Sequence, residues 1–99
     1  MVKHIVLWNF AEQLTEKERK EAGAKMKEIL EPLKDQIPGV ISLKVQMNEL
    51  PSSNRDVALI GEYESVEALN GYAVHPLHVE AGKYVRSVTC NRACIDYEM

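Results

Sequence analysis

A chain of 99 residues with 45% hydrophobic and 27% charged side chains reads as one globular domain over residues 1–99, too short for a single layer of helices on a sheet to cover all its apolar surface. A net charge of −3, with twelve Lys and Arg interleaved among acids, gives none of the basic stripe that a phosphate backbone demands, which argues against nucleic-acid partners. No apolar run approaches the ~20 residues of a membrane span, and Met1 to Phe10 is too short and too polar at its flanks for a signal peptide. The expected setting is the cytoplasm, away from membranes.

Val2 to Phe10 reads as a strand that places Val2, His4, Val6, Trp8 and Phe10 on one face and Ile5 and Leu7 on the other. Both faces are apolar, so helices should cover one and something else the other. Thr15-Glu16-Lys17-Glu18 has the form of a capping box and opens a helix. Its apolar stripe runs through Ala22, Met26, Ile29, Leu30, Leu33 and Ile37, with Pro32 disturbing the last turn and Pro38-Gly39 ending the helix. Val40 to Glu49 alternates Ile41, Leu43, Val45 and Met47 with polar residues and reads as a strand. The turn formers of 50–55 follow, and Asp56 to Glu64 returns as a third strand through Val57, Leu59 and Tyr63.

Ser65 should start a short helix through Val66, Ala68 and Leu69 that breaks near Gly71. His75-Pro76 then opens another helix, proline at its tolerated first position, with Leu77, Ala81, Tyr84, Val85 and Val88 as the buried stripe. Thr89 to Glu98 closes the chain as a fourth strand. On it, Cys90 and Cys94 are expected on one face about 13 Å apart, too far for a disulfide or a shared zinc ion, and so read as reduced structural thiols. The order strand, helix, strand, strand, helix pair, strand is that of an α+β, ferredoxin-like fold: a four-stranded antiparallel sheet with helices on one face. The open sheet face is best covered by the same face of a second copy, giving a homodimer with a barrel-like interior.

Three stretches carry a family likeness: the opening Val2-Lys3-His4-Ile5-Val6-Leu7-Trp8-Asn9-Phe10, the middle Glu64-Ser65-Val66-Glu67-Ala68-Leu69, and above all Tyr72-Ala73-Val74-His75-Pro76-Leu77-His78-Val79. With the terminal Asp96-Tyr97-Glu98, they resemble the stress-responsive dimeric α/β barrel (Dabb) family nearly end to end. The related dimeric monooxygenases match this pattern less well. The resemblance implies a ferredoxin-like homodimer whose two sheets pack into a dimeric α/β barrel, with mostly unassigned functions. Some plant members are stress proteins, and one is a polyketide cyclase whose acid–base residues fall on His4, Tyr72 and His78 here. His75 matches as a motif residue. Where the cyclase branch sets bulky aromatics around its cavity, this chain reads Ala22-Gly23-Ala24-Lys25-Met26. Some relatives hold a cation on main-chain carbonyls near the positions of Leu30, Leu33 and Gln36; such ligation leaves almost no sequence signal, so the sequence makes no prediction of it.

The chemistry expected of His4, Tyr72 and His78 is proton transfer without a cofactor or metal. His78 would serve as base, Tyr72 as hydrogen-bond donor to a developing enolate, and His4 as a group orienting His78 or holding the ligand. His75, before Pro76, is placed to cap the helix rather than to react. A His-x-x-His metal site on His75 and His78 lacks a third ligand except Glu80. Two functions stay open on these residues: a stress-associated dimer binding a small apolar or keto metabolite, and an enzyme acting on a keto or polyketide-like compound by lyase or isomerase chemistry.

Overall fold

The computed structural model describes residues Met1 to Met99. In chain order it contains β1 (Val2–Phe10), α1 (Glu16–Leu30), a 3₁₀ segment (Glu31–Asp35), β2 (Val40–Met47), β3 (Val57–Tyr63), α2 (Val66–Val74), α3 (Pro76–Val88) and β4 (Thr89–Glu98). The four strands form one antiparallel sheet in the order β2-β3-β1-β4. This is the ferredoxin-like α+β fold expected from the element order.

The helix-facing side of the sheet holds the core. Val2, Val6, Trp8 and Phe10 of β1, Leu43 and Val45 of β2, and Val57, Leu59 and Tyr63 of β3 pack against Ala22, Met26 and Leu30 of α1 and Ala81 and Val85 of α3. The other face carries Ile5 and Leu7, with Ala58 and Ile60 beside them on β3 and Ala93 and Ile95 on β4, as the strand register requires. Ile95 is 58% exposed in the single chain. An apolar stripe of that kind across three strands is surface that a monomer rarely leaves bare.

α1 begins where the capping box places it: the Thr15 hydroxyl accepts from the Glu18 amide at 3.1 Å, and the Glu18 carboxylate accepts from the Thr15 amide at 2.9 Å. It stops at Leu30, however, and does not run to Ile37. Pro32 has no N–H to offer to the carbonyl four residues back, and the chain tightens into a 3₁₀ turn that still buries Leu33. Within that turn Glu31 accepts from the Val45 amide at 2.9 Å and from Lys27 at 2.8 Å, which occupies an outward N–H of the edge strand β2. Gly39 supplies the turn into β2 with φ +84°.

α2 also departs from expectation, continuing through Gly71 to Val74. Gly71 has open space around it and costs the helix only about 1 kcal/mol relative to alanine. The break comes at His75, whose extended backbone (φ −63°, ψ 135°) is what a following proline enforces. In α3 the buried stripe is narrower than the sequence suggests: Ala81 and Val85 are buried, Tyr84 and Val88 only partly, and Leu77 is 41% exposed. The loop between β2 and β3 spans 48–56, each strand giving up its outermost residues.

β4 carries a bulge. The pairing steps from Leu7–Ala93 to Asn9–Cys90, with Asn91 at φ 53°. Because one extra residue reverses the alternation, Cys90 pairs with Asn9 and Cys94 with Val6, so the two cysteines lie on opposite faces and not on one. Both are free thiols. No helix is long and apolar enough to cross a membrane.

Candidate functional site

The strand register sets His4, Gly61 and Asp96 in one row across β3, β1 and β4. Antiparallel neighbours point the same way, so the His4 ring and the Asp96 carboxylate meet on the helix-facing side, where His4 Nδ1 hydrogen-bonds Asp96 Oδ1. Gly61 contributes no side chain to this row, and the Tyr63 ring lies back over it. A Cβ built at Gly61 would come 2.6 Å from the Tyr63 hydroxyl and 2.8 Å from its ring. The Tyr63 ring thereby reaches His4, with centroids 6.0 Å apart in an edge-on arrangement.

The helices add the other half. Tyr72 from the last turns of α2 packs on Tyr63 at 5.2 Å, and His78 from the first turn of α3 packs on Tyr72 at 4.3 Å. Four rings thus run in series from sheet to helix: His4, Tyr63, Tyr72, His78. His75 stands outside this series, capping α3 by accepting from the Leu77 amide at 3.2 Å through Nδ1. A cavity of about 440 Å³ lies beside the rings, lined by His4, Tyr72 and His78 together with Trp8, Arg92 and Asp96. Its remaining wall is largely apolar, from Val6, Leu30, Leu59, Leu69 and Val85. A second cavity of about 400 Å³ beside the 48–56 loop contains none of these rings.

The hydrogen bonds fix how the histidines present themselves. His78 Nδ1 is 3.1 Å from the carbonyl oxygen of Ala73, which can only accept, so Nδ1 carries the proton and Nε2 of the neutral ring carries a lone pair. Burial, reinforced by the positive charges of Arg86 and Arg92 and by His4, holds the His78 pKa below its ordinary value, although the Ala73 bond works the other way. The ring therefore stays neutral at neutral pH. Asp96 is kept ionised: burial would raise its pKa, but the hydrogen bond and charge of His4 outweigh it.

The two tyrosines are buried and polar without reward. Tyr63 is 0% and Tyr72 1% exposed, and neither hydroxyl has a hydrogen-bond partner. The hydroxyls lie close enough to perturb each other, but not in a geometry that makes a bond. Burial pushes the Tyr72 phenol up to about 12 and the Tyr63 phenol higher still. Both remain protonated at any physiological pH, as donors lacking acceptors.

Of the residues singled out in the sequence, His4, Tyr72 and His78 do line one cavity. Of the two roles expected for His4, orienting His78 is not seen in the structure and holding a ligand remains: His4 bonds Asp96 and His78 bonds Ala73, with two tyrosine rings between them. Sequence reasoning passed over Tyr63, Asp96, Arg92 and Arg86. The signal for the β4 residues is the run Arg92, Cys94, Asp96, three polar side chains alternating onto a face that the rest of the sheet fills with apolar ones. Tyr63 could be found from Gly61, the small residue that leaves a berth two positions away on the same face.

The chain is similar along its whole length to solved structures. A dimeric ferredoxin-like protein of unknown function from Bacteroides fragilis is 34% identical, with 99% of this chain and 95% of that one covered and a TM-score of 0.91. A second dimeric ferredoxin-like protein of unknown function, from Jannaschia, is 22% identical over 99% of this chain and 98% of its own, with a TM-score of 0.80. A hydroxynitrile lyase from Passiflora edulis shares the fold at 18% identity, over 97% of this chain and 90% of the lyase, with a TM-score of 0.79. Comparison with curated proteins finds no match. Residues 2–99 match the stress responsive A/B barrel domain throughout, and the chain belongs to that family.

Proposed function

We propose that the cavity binds a small carbonyl compound with an apolar body and that His78 removes a proton from the carbon next to its carbonyl. The observation that carries this reading is the His78 tautomer. Nδ1–H is committed to Ala73, which leaves the basic Nε2 on a neutral ring lining the cavity. The proton passes from carbon to Nε2, the bonding pair forms the enolate, and the carbonyl oxygen takes up negative charge. The Tyr72 hydroxyl, protonated and unpartnered but buried in the cavity wall, is the donor for that oxygen once a bound ligand draws it toward the carbonyl. His4, oriented by Asp96, is the polar contact for the far end of the ligand. Such a site serves aldol-type condensation, lyase or isomerase chemistry with no cofactor. That a hydroxynitrile lyase shares the fold is an analogy at the level of fold only.

The apolar wall favours one second reading, a metabolite-binding protein without turnover. In either case the assembly is a two-fold homodimer formed through the sheet faces, supported by the apolar stripe around Ile5, Ile60 and Ile95 and by the dimers of its structural relatives. A cytoplasmic setting suits the two free thiols. The test is a panel of small ketones and β-keto acids incubated with the protein in deuterium oxide, the carbon-bound protons followed by NMR. Exchange or turnover that His78→Ala abolishes supports the enzyme. Binding without exchange leaves the metabolite-binding reading, and absence of both refutes the proposal.

A further inference from the structure

We infer that His4, Cys94 and Asp96 form a site for a divalent transition-metal cation of borderline softness, with Zn²⁺ the best fit. The three side chains come from adjacent strands on the helix-facing side of the β1–β4 pair, where His4 sits opposite Asp96 and Val6 opposite Cys94. Rigid strands, not loops, therefore bring the donors together. Their ligand atoms all lie within 4.8 Å of one another.

Two of the three separations suit a tetrahedral ion. Cys94 Sγ is 3.6 Å from His4 Nδ1 and 3.5 Å from Asp96 Oδ1. A tetrahedron with a Zn–S bond of about 2.3 Å and Zn–N and Zn–O bonds of about 2.0–2.1 Å has S···N and S···O edges of about 3.5 Å. The third edge, the His4–Asp96 hydrogen bond, is shorter than the N···O edge of about 3.3 Å that such a tetrahedron needs, so it opens as a cation replaces its proton. Binding also converts the Cys94 thiol to a thiolate, releasing its proton to solvent.

The donor chemistry selects among metals. One sulfur, one imidazole nitrogen and one carboxylate oxygen make a set for zinc or its transition-metal neighbours, not for magnesium or calcium, which take oxygen alone. Thiolate and carboxylate together balance the charge of a divalent ion, with Arg92 of the same strand the positive charge that acts on both Cys94 and Asp96, and Arg86 lining the same cavity. Three protein ligands leave a fourth position, and His4 and Asp96 both line the large cavity, so that position is open to water or to an oxygen of a bound molecule. The site shares His4 and Asp96 with the acid–base reading but does not rest on it, since neither His78 nor Tyr72 is among its ligands.

The test uses the full chain, stripped with a chelator, kept reduced with a phosphine, and titrated with ZnCl₂ and separately with CoCl₂. The expected result is one ion per chain and, with cobalt, the near-ultraviolet charge-transfer absorption of a cobalt–thiolate bond. Cys94→Ser should abolish that band, and both Cys94→Ser and Asp96→Asn should weaken zinc binding at least tenfold. Cys90→Ser should leave band and affinity unchanged, and so should His78→Ala, which separates this site from the proton-transfer site. Circular dichroism of each variant checks folding, and Cys94 and Asp96 are exposed enough to be replaced without disturbing the core. No stoichiometric binding, a cobalt complex without the thiolate band, or a folded Cys94→Ser variant that binds zinc as tightly as the parent would overturn the assignment.

Discussion

Replacing Tyr72 by phenylalanine should make the protein more stable and less able to act on its ligand. The Tyr72 ring is 1% exposed and packs between Tyr63 and His78, contacts that phenylalanine keeps. What it loses is a hydroxyl buried with no partner. Leaving a donor of that kind unsatisfied costs about 1–3 kcal/mol. The hydroxyl's own packing offsets part of this, so a net gain of about 1 kcal/mol is expected for Tyr72→Phe. For a domain of this size that corresponds to a rise in Tm of about 4–8 °C. Differential scanning calorimetry of parent and variant at one protein concentration measures it, since a dimer's Tm depends on concentration. The same variant should lose any carbonyl turnover by the factor of roughly 10² or more that an oxyanion donor supplies. Stability gained and activity lost together mark a polar group kept for function. A fall in Tm of about 1 kcal/mol equivalent would refute the reasoning, because it would mean that the hydroxyl is already paired in the resting protein.

Three further outcomes follow from the same geometry. Gly61→Ala should destabilise the fold by about 1–3 kcal/mol in denaturant unfolding, because its Cβ would drive into the fully buried Tyr63; a glycine in an unencumbered strand would instead gain about 0.5–1 kcal/mol, so the sign decides. The His78 pKa is held below its unfolded value, so as pH falls the unfolded chain binds this proton first. Its contribution to stability is therefore full above about pH 6.5 and lost as pH falls from there through the folded value. Comparing parent with His78→Gln by urea unfolding across that range should show the two pH dependences diverging, and parallel curves would contradict the burial argument. Ile95→Asp places a charge in the apolar stripe of the open sheet face and should yield a folded monomer in sedimentation at micromolar concentration; a variant that stays dimeric would move the interface elsewhere.

Much of the fold was legible because its signals are local. Alternation along β1, the Thr15–Glu18 box and the His75-Pro76 junction each act within a few residues, and the structure uses them as they read; on β2 a bulge between Val40 and Ser42 leaves Ile41 40% exposed, and the alternation holds from Leu43 on. The misplaced ends of α1 and α2 came from weighing a proline and a glycine inversely to their cost: Pro32 removes a hydrogen bond, whereas Gly71 in open space removes little. The site was half legible. His4, Tyr72 and His78 converge on one cavity, but their partners depend on register and on the bulge at Asn91, which no local pattern specifies. That bulge turns Cys94 and Asp96 toward His4 and separates Cys90 from Cys94, and Tyr63 enters only because Gly61 makes room across the sheet.

The proposed chemistry requires His78 to stand in the cavity as a neutral base with its Nε2 lone pair free. Long-range proton–nitrogen correlation NMR of the ¹⁵N-labelled protein, recorded through a pH titration, reads the tautomer and charge of that ring directly. At neutral pH the Nδ1–H tautomer is expected for His78, with protonation only at a pH below the ordinary histidine value of about 6.5. An imidazolium at neutral pH, or a ring protonated on Nε2, would contradict it.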